Sequence, residues 1–155
     1  MRRSEKEIAD RAEREARLQK AAVCRIGICD GGRPYVVPVT FVYEAGAVFI
    51  HSGPEGEKIR ILRGNPRVCV EMDTIGRVFP ADEPCRWTVS YRSVIAGGMA
   101  EGIEKEDGKV RALTSLVRKY SGRGAAEFLR ERLDEVIVIR IPLDSMTGKA
   151  SPCLT

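Results

Sequence analysis

The stretch Tyr35-Val36-Val37-Pro38-Val39-Thr40-Phe41-Val42-Tyr43 decides how this chain is read. Its residues are apolar at successive rather than alternate positions, so a strand built from them has no face suited to free solvation. A closed barrel whose outside is covered meets that demand. Pro38 sits in the middle and cannot donate a ladder hydrogen bond, which confines it to an edge or a bulge. Either this is a plain edge strand, or its neighbours leave backbone N–H and C=O groups for a ligand.

On both sides of this stretch the chain reads as hairpins. Val23 to Asp30 is a strand ended by Asp30-Gly31-Gly32, a turn that suits residues able to adopt positive φ. Glu44-Ala45-Gly46 turns the second strand into a third, Ala47 to Ser52, so the pairing is antiparallel. Arg67 to Asp73 is a fourth strand, 74–85 a loop, Arg86 to Ile103 a long fifth strand bent at Gly97-Gly98, and Glu135 to Leu143 a sixth.

Helical spacing marks 4–20, with Ser4 and Glu7 placed as a capping box. It also marks 55–64, stopped by Gly64-Asn65-Pro66, and then 107–120 and 124–133. The expectation is a mainly β chain with peripheral helices (α+β), folded as a six-stranded antiparallel barrel. It forms one domain over 1–155, with an N-terminal helix in 1–20 and a helical insertion at 107–133 before the last strand.

With 155 residues, 43% of them hydrophobic, the chain can build one real core. No apolar run approaches the ~20 residues a membrane helix needs, and the charged N-terminus lacks a signal-peptide pattern, so a cytoplasmic protein with no membrane partner is expected. The five cysteines show no zinc or dithiol spacing, so no metal is expected, and Cys24, Cys29 and Cys69 read as small core residues. The 26 basic and 22 acidic residues are mostly interleaved, which argues against a nucleic-acid stripe. Lys58, Arg60, Arg63 and Arg67 form the exception, a basic cluster with few acids nearby.

That cluster adjoins Phe49-Ile50-His51-Ser52-Gly53-Pro54-Glu55-Gly56-Glu57-Lys58-Ile59-Arg60-Ile61-Leu62, read as a strand, a glycine-proline turn and a helix with a lysine in its first turn. First-turn N–H groups lack internal partners and sit at the positive end of the helix dipole. A phosphate is favoured there, and Lys58 adds a full charge. An ordinary capped surface turn is the plainer reading.

The ordered set Cys24-Arg25-Ile26-Gly27, Pro34-Tyr35-Val36-Val37-Pro38-Val39, Phe49-Ile50-His51-Ser52, Gly56-Glu57-Lys58-Ile59 and Asn65-Pro66-Arg67-Val68-Cys69 is joined by Pro84-Cys85-Arg86-Trp87, Tyr91-Arg92-Ser93-Val94-Ile95, Gly102 and Met146-Thr147-Gly148-Lys149. Together these segments, spanning roughly 20–149, resemble the pyridoxamine 5'-phosphate oxidase-related flavoproteins, in particular their nitroimidazole-resistance branch. The resemblance implies a split β-barrel that dimerises and binds FMN at the subunit interface. It implies that Val37, Pro38, Val39 and Thr40 lie along the flavin, with His51 and Ser52 beside it and Lys58 and Ile59 at the phosphate. Trp87, Tyr91 and Ser93 would complete the pocket. Relatives tend to carry Asn and Gly where this chain has Thr40 and Val42, a departure that bears on the substrate pocket.

In such proteins the cofactor performs the redox chemistry while the protein positions it and excludes water. The resemblance therefore implies transfer of electrons to a small-molecule acceptor such as a 5-nitroimidazole. His51, the sole histidine, is the candidate proton donor, although a histidine on an apolar strand is also read as a structural residue. A non-catalytic flavin carrier or sensor and a pyridoxamine phosphate oxidase proper are the alternatives; the latter needs a second phosphate site that the sequence does not display. Hydrolysis is disfavoured because there is no glycine-flanked serine elbow.

Overall fold

A computed structural model of the chain describes residues 4–124 and 128–151. Its frame is one antiparallel sheet made of β1 (Cys24–Asp30), β2 (Arg33–Val39), β3 (Phe41–Glu44), β4 (Ala47–Ser52), β5 (Arg67–Phe79), β6 (Thr88–Met99), β7 (Glu101–Ile103) and β8 (Ile137–Ala150). The strands run β2-β1-β5-β6-β8-β4-β3, with β7 paired to β8 off that path. Four helices accompany them: α1 (Arg11–Lys20), α2 (Glu57–Gly64), α3 (Glu106–Ser121) and α4 (Arg130–Asp134).

Eight strands stand among the described residues where six were expected. Tyr35 to Tyr43 is two strands because its halves take partners at opposite ends of the sheet: β2 pairs with β1, and β3 with β4. Only Thr40 separates them. Two edges joined through one residue force the sheet to curl. Arg86 to Ile103 divides likewise at Ala100, with β6 on β5 and β7 on β8.

Two strands run longer than expected. β5 continues through Phe79 because the irregularity between Ile75 and Val78 is a bulge that β6 accommodates, with the Ser90 hydroxyl accepting the Arg77 N–H at 2.8 Å. β8 continues to Ala150 because the turn-like Asp144-Ser145 segment is held by β6. The bend expected at Gly97-Gly98 is present as a register shift against β8.

At the N-terminus the expected capping box is absent. Ser4–Lys6 is a single 3-10 turn, Glu7 bridges to Lys149, and the Ile8 N–H donates to the Gly148 carbonyl at 3.0 Å. That pairing keeps the backbone extended, so α1 starts later, capped by the Asp10 carboxylate accepting from Ala12 N–H. Of the helix expected over 124–133, only α4 lies in the described residues as a helix, and 125–127 fall outside them.

The curled sheet encloses the main core, in which Phe41, Ile26, Ile50, Met72, Val70 and Ile141 are fully buried beside Leu18 of α1 and Ile59, Ile61 and Leu62 of α2. A second cluster under α3 and α4 joins Val42, Leu113, Leu116, Leu133 and Val138. Cys24 is buried as expected, Cys29 half-buried, but Cys69 is exposed, because it lies on the outward side of β5 between buried Val68 and Val70. The expectation that neither face of 35–43 is solvated also fails for β2: Val36 is 63% exposed, on an edge strand whose outer face no described residue covers. Edge placement is what Pro38 requires.

Gly98 packs its α-carbon against the Pro142 carbonyl, and a Cβ there would overlap that backbone oxygen. Gly98→Ala is expected to lower stability by about 1–3 kcal/mol. Urea unfolding followed by tryptophan fluorescence checks this, with an unchanged midpoint refuting the packing argument.

Candidate functional site

The β2–β3 joint brings the predicted strand residues to the predicted turn. Phe41 pairs with Ile50, so Thr40, one residue before Phe41, adjoins His51, one residue after Ile50. Thr40, at the end of β2, therefore stands next to His51 and close to Ser52 where β2 and β3 part. Val39 is buried, Val37 and Ser52 are half-buried, and Pro38, Thr40 and His51 are exposed. From Ser52 the chain turns through Gly53 to Gly56 into α2, placing Lys58 in the first turn.

Gly56 caps α2 with φ of 113° and ψ of 168°, a conformation open to glycine, and no side chain bonds to the helix start. Lys58 is half-buried, and burial lowers its pKa. Among the described residues it has no carboxylate partner. An ammonium partly withdrawn from water beside an uncapped helix N-terminus is short of an anion, and a phosphate monoester fits that need.

The basic cluster is less uniform than expected. Arg60 is spent on Glu57 at 2.8 Å and on Asp30, an ion pair that ties α2 to the end of β1. Arg63 instead reaches back to the Pro54 carbonyl at 3.4 Å, and Arg67 begins β5. Asn65 donates to the Cys29 carbonyl at 3.1 Å, fixing the other end of α2.

Three predicted residues lie elsewhere. Ser93 pairs with Asp73 and Tyr91 with Ile75 on β5, while β1 separates β5 from β2. Three strand spacings, about 14 Å along the sheet, divide Ser93 from Pro38. Trp87 stands before β6, 57% exposed, with its indole N–H donating to the Ala81 carbonyl at 2.7 Å. One chain thus places Thr40 beside His51, with Ser52 leading through the turn to Lys58 and Ile59 of α2, while Val37, Pro38 and Val39 run back along β1 and Trp87, Tyr91 and Ser93 lie apart.

Tyr120, in the last turn of α3, carries a contact that helical spacing over 107–120 does not disclose. Its hydroxyl accepts the Phe41 N–H at 2.9 Å and lies 2.7 Å from the Ala22 carbonyl and 3.1 Å from the Phe41 carbonyl, bolting α3 to the β2–β3 joint. Beside it the Lys119 ammonium lies 3.6 Å from the centre of the Phe41 ring and has no hydrogen-bond partner among the described residues. Burial pushes its pKa down to about 8, and burial holds the neighbouring Cys24 thiol up at about 12. A tyrosine at the last turn of an amphipathic helix was the available signal; its partners, 79 and 98 residues away, were not in the local pattern.

The antiparallel sheet, with its helices and a lysine-headed turn, defines a small mainly β fold. The chain belongs to the pyridoxamine 5'-phosphate oxidase family, whose pattern matches residues 10–150. It is 33% identical to a candidate 5-nitroimidazole antibiotic resistance protein from Bacteroides thetaiotaomicron, over 93% of this chain and 86% of that one, with a TM-score of 0.84. A flavocytochrome from Azotobacter vinelandii (19% identity, 98% and 72% coverage, TM-score 0.86) and an FAD-binding protein from Mesorhizobium loti (24%, 92% and 96%, TM-score 0.70) share the fold. A 65-residue stretch is 28% identical to an uncharacterised protein of Rhizobium meliloti, covering 42% of each chain. Among the described residues no helix is long and apolar enough to cross a membrane, and no cluster of metal-ligating side chains occurs.

Lys119 carries a signed pH prediction. Its folded pKa, about 8, lies below its ordinary 10.5, so between those values the unfolded chain binds the extra proton and stability rises with pH. Cys24 acts oppositely from about 9 to 12, because the folded thiol keeps its proton longer. Comparison with Lys119→Met isolates the lysine: wild type is expected to gain stability relative to the variant as pH rises from 8 to 10.5. A pH-independent difference in chemical denaturation midpoints would refute the assignment.

Proposed function

We propose that this chain is a flavin-dependent oxidoreductase that holds the FMN unit of its cofactor along β2 and at the start of α2, and passes electrons to a small acceptor such as a 5-nitroimidazole. The observation that supports this reading is the adjacency of Thr40 to His51, with a short turn leading from Ser52 to Lys58 at the start of α2, in a member of this family. The bound flavin would supply reversible two-electron chemistry. The protein's part is to bind and orient.

Lys58 and the N–H groups of the first turn of α2 neutralise a phosphate. The outward face of β2, at Val36 and Pro38, would give an apolar margin for a ring, while Val37 and Val39 pack on the core behind it. His51 is exposed next to Thr40, where its imidazole can deliver a proton to an acceptor that has gained electrons. The likeness to the Bacteroides protein favours a nitro group as that acceptor.

A homodimer with the flavin at the subunit interface completes the proposal. Support comes from the outward apolar residues Val36, Ile95 and Met99, which the chain leaves open, and from the separation of Trp87, Tyr91 and Ser93 from Lys58. A second copy would bring such residues to the first copy's flavin edge.

Purified protein is expected to bind FMN when supplied, with Lys58→Ala weakening affinity by about ten- to hundredfold, the worth of a charge-assisted contact. Flavin fluorescence quenching reads this. Anaerobic reoxidation of the reduced protein is expected to accelerate on adding a 5-nitroimidazole and to slow in His51→Ala. Binding without acceleration by any acceptor would leave a carrier, and turnover of pyridoxamine phosphate would instead make it an oxidase of that substrate.

A further inference from the structure

The outward side of the sheet carries a row of small residues that the proposed site does not use. In register across β1, β5 and β6 stand Gly27, Cys69 and Gly97. With a glycine on either hand, the Cys69 thiol has no side chain beside it in the row, and it is exposed in a trough of about 560 Å³. Cys29 lines the same trough. It lies two residues along β1 from Gly27, hence on the same side of the strand, and is half-buried.

The two cysteines are therefore diagonal neighbours across the β1–β5 ladder, with α-carbons about 7–8 Å apart. A disulfide needs β-carbons about 3.5–4.5 Å apart, which that diagonal does not supply unless backbone moves. An ion between the sulfurs spans the gap. Metal–thiolate bonds of about 2.3 Å hold two sulfurs up to about 4.6 Å apart, a separation the two side chains can reach from the diagonal.

Softness and charge narrow the choice of ion. Among the described residues no group of three or more His, Cys, Asp or Glu side chains is placed to hold a metal, so ions that ask for three or four such ligands are unsuited to the trough. Two thiolates suit a soft monovalent cation that accepts two-coordinate binding. Met99, outward on β6 and diagonal to Cys69, offers a thioether of the same softness. Two thiolates around such a cation leave a net negative charge. Arg67 lines the trough without a carboxylate partner among the described residues, and balances it. Asp144, at the rim beside Gly97, is a hard oxygen ligand that competes poorly with sulfur for such an ion. We infer that Cys29 and Cys69 form a binding site for Cu(I). The site uses none of the residues placed at the flavin and stands whether or not a flavin binds. Val36 borders the trough and belongs to the surface proposed above for a second copy. An ion whose positions are filled by protein sulfur needs no open side, so it can stay beneath such a cover.

Fully reduced, full-length protein is titrated anaerobically with Cu(I) against bicinchoninate, a chelator whose colour reports copper the protein does not hold. Wild type is expected to take about one equivalent per chain before colour develops. Cys29→Ser and Cys69→Ser are each expected to lose that equivalent, and Cys85→Ser to keep it. Alkylation of wild type with iodoacetamide, mapped by peptide mass spectrometry over all five cysteines, gives a readout that needs no variant. Stoichiometric Cu(I) is expected to protect Cys29 and Cys69 together and to leave the exposed Cys85 reactive. Absence of uptake by wild type, uptake unchanged in either single variant, or protection of Cys69 without Cys29 overturns the inference. A Cys29–Cys69 disulfide that forms readily on mild oxidation overturns it too, because the sulfurs would then meet without an ion.

Discussion

One covalent constraint shapes the molecule: β2 and β3, the two ends of the sheet's pairing path, are joined by Thr40 alone. A flat sheet of seven paired strands would hold its edges about 30 Å apart. A one-residue link forbids that, so the sheet curls, and Phe41, Ile26 and Ile50 are buried on its inner side. No ladder pairs β2 with β3 among the described residues, so the joint needs other support. Tyr120 gives it, taking the Phe41 N–H and lying against the Ala22 and Phe41 carbonyls.

The candidate site is a by-product of that joint. Where two edges meet without pairing, backbone and small side chains face outward with no strand to cover them, and His51 and Ser52 are carried there by the β3–β4 register. α2 is fastened at both ends, by Arg60 to Asp30 and by Asn65 to Cys29. Its first turn is therefore presented at a fixed angle while its N–H groups stay uncapped. Arginines three residues apart divide the work: one is saturated by carboxylates and structural, the other is bound only to a carbonyl and available.

How legible this was depends on the range of the interactions. The hairpins Asp30-Gly31-Gly32 and Glu44-Ala45-Gly46 were readable because their turns require local conformations that few residues supply, and the Gly97-Gly98 bend for the same reason. The division of 35–43 was not, since nothing in an apolar run says that its halves will find different partners. The continuation of β5 past Asp73 and of β8 past Leu143 was hidden likewise, because polar and glycine-bearing segments are kept in the sheet by β6 and not by their own pattern. At the site, Lys58 and the Gly56 cap were visible as local chemistry. The pairing of Arg60 across to Asp30 and the exposure of Cys69 depend on which faces the sheet turns outward.

A half-buried lysine with no partner and an edge strand with Val36 63% exposed are both costs to an isolated chain: one withholds water from a charge, the other leaves apolar surface in it. A phosphate relieves the first. Under the proposed function a flavin ring laid along β2 would relieve the second, and redox chemistry at the ring would be served by the same exclusion of water. The two defects lie at opposite ends of one short path, from Pro38 through Thr40 and Ser52 to Lys58. A ligand with an anionic tail and an aromatic head answers both at once, and neither a simple anion nor a second subunit does so alone.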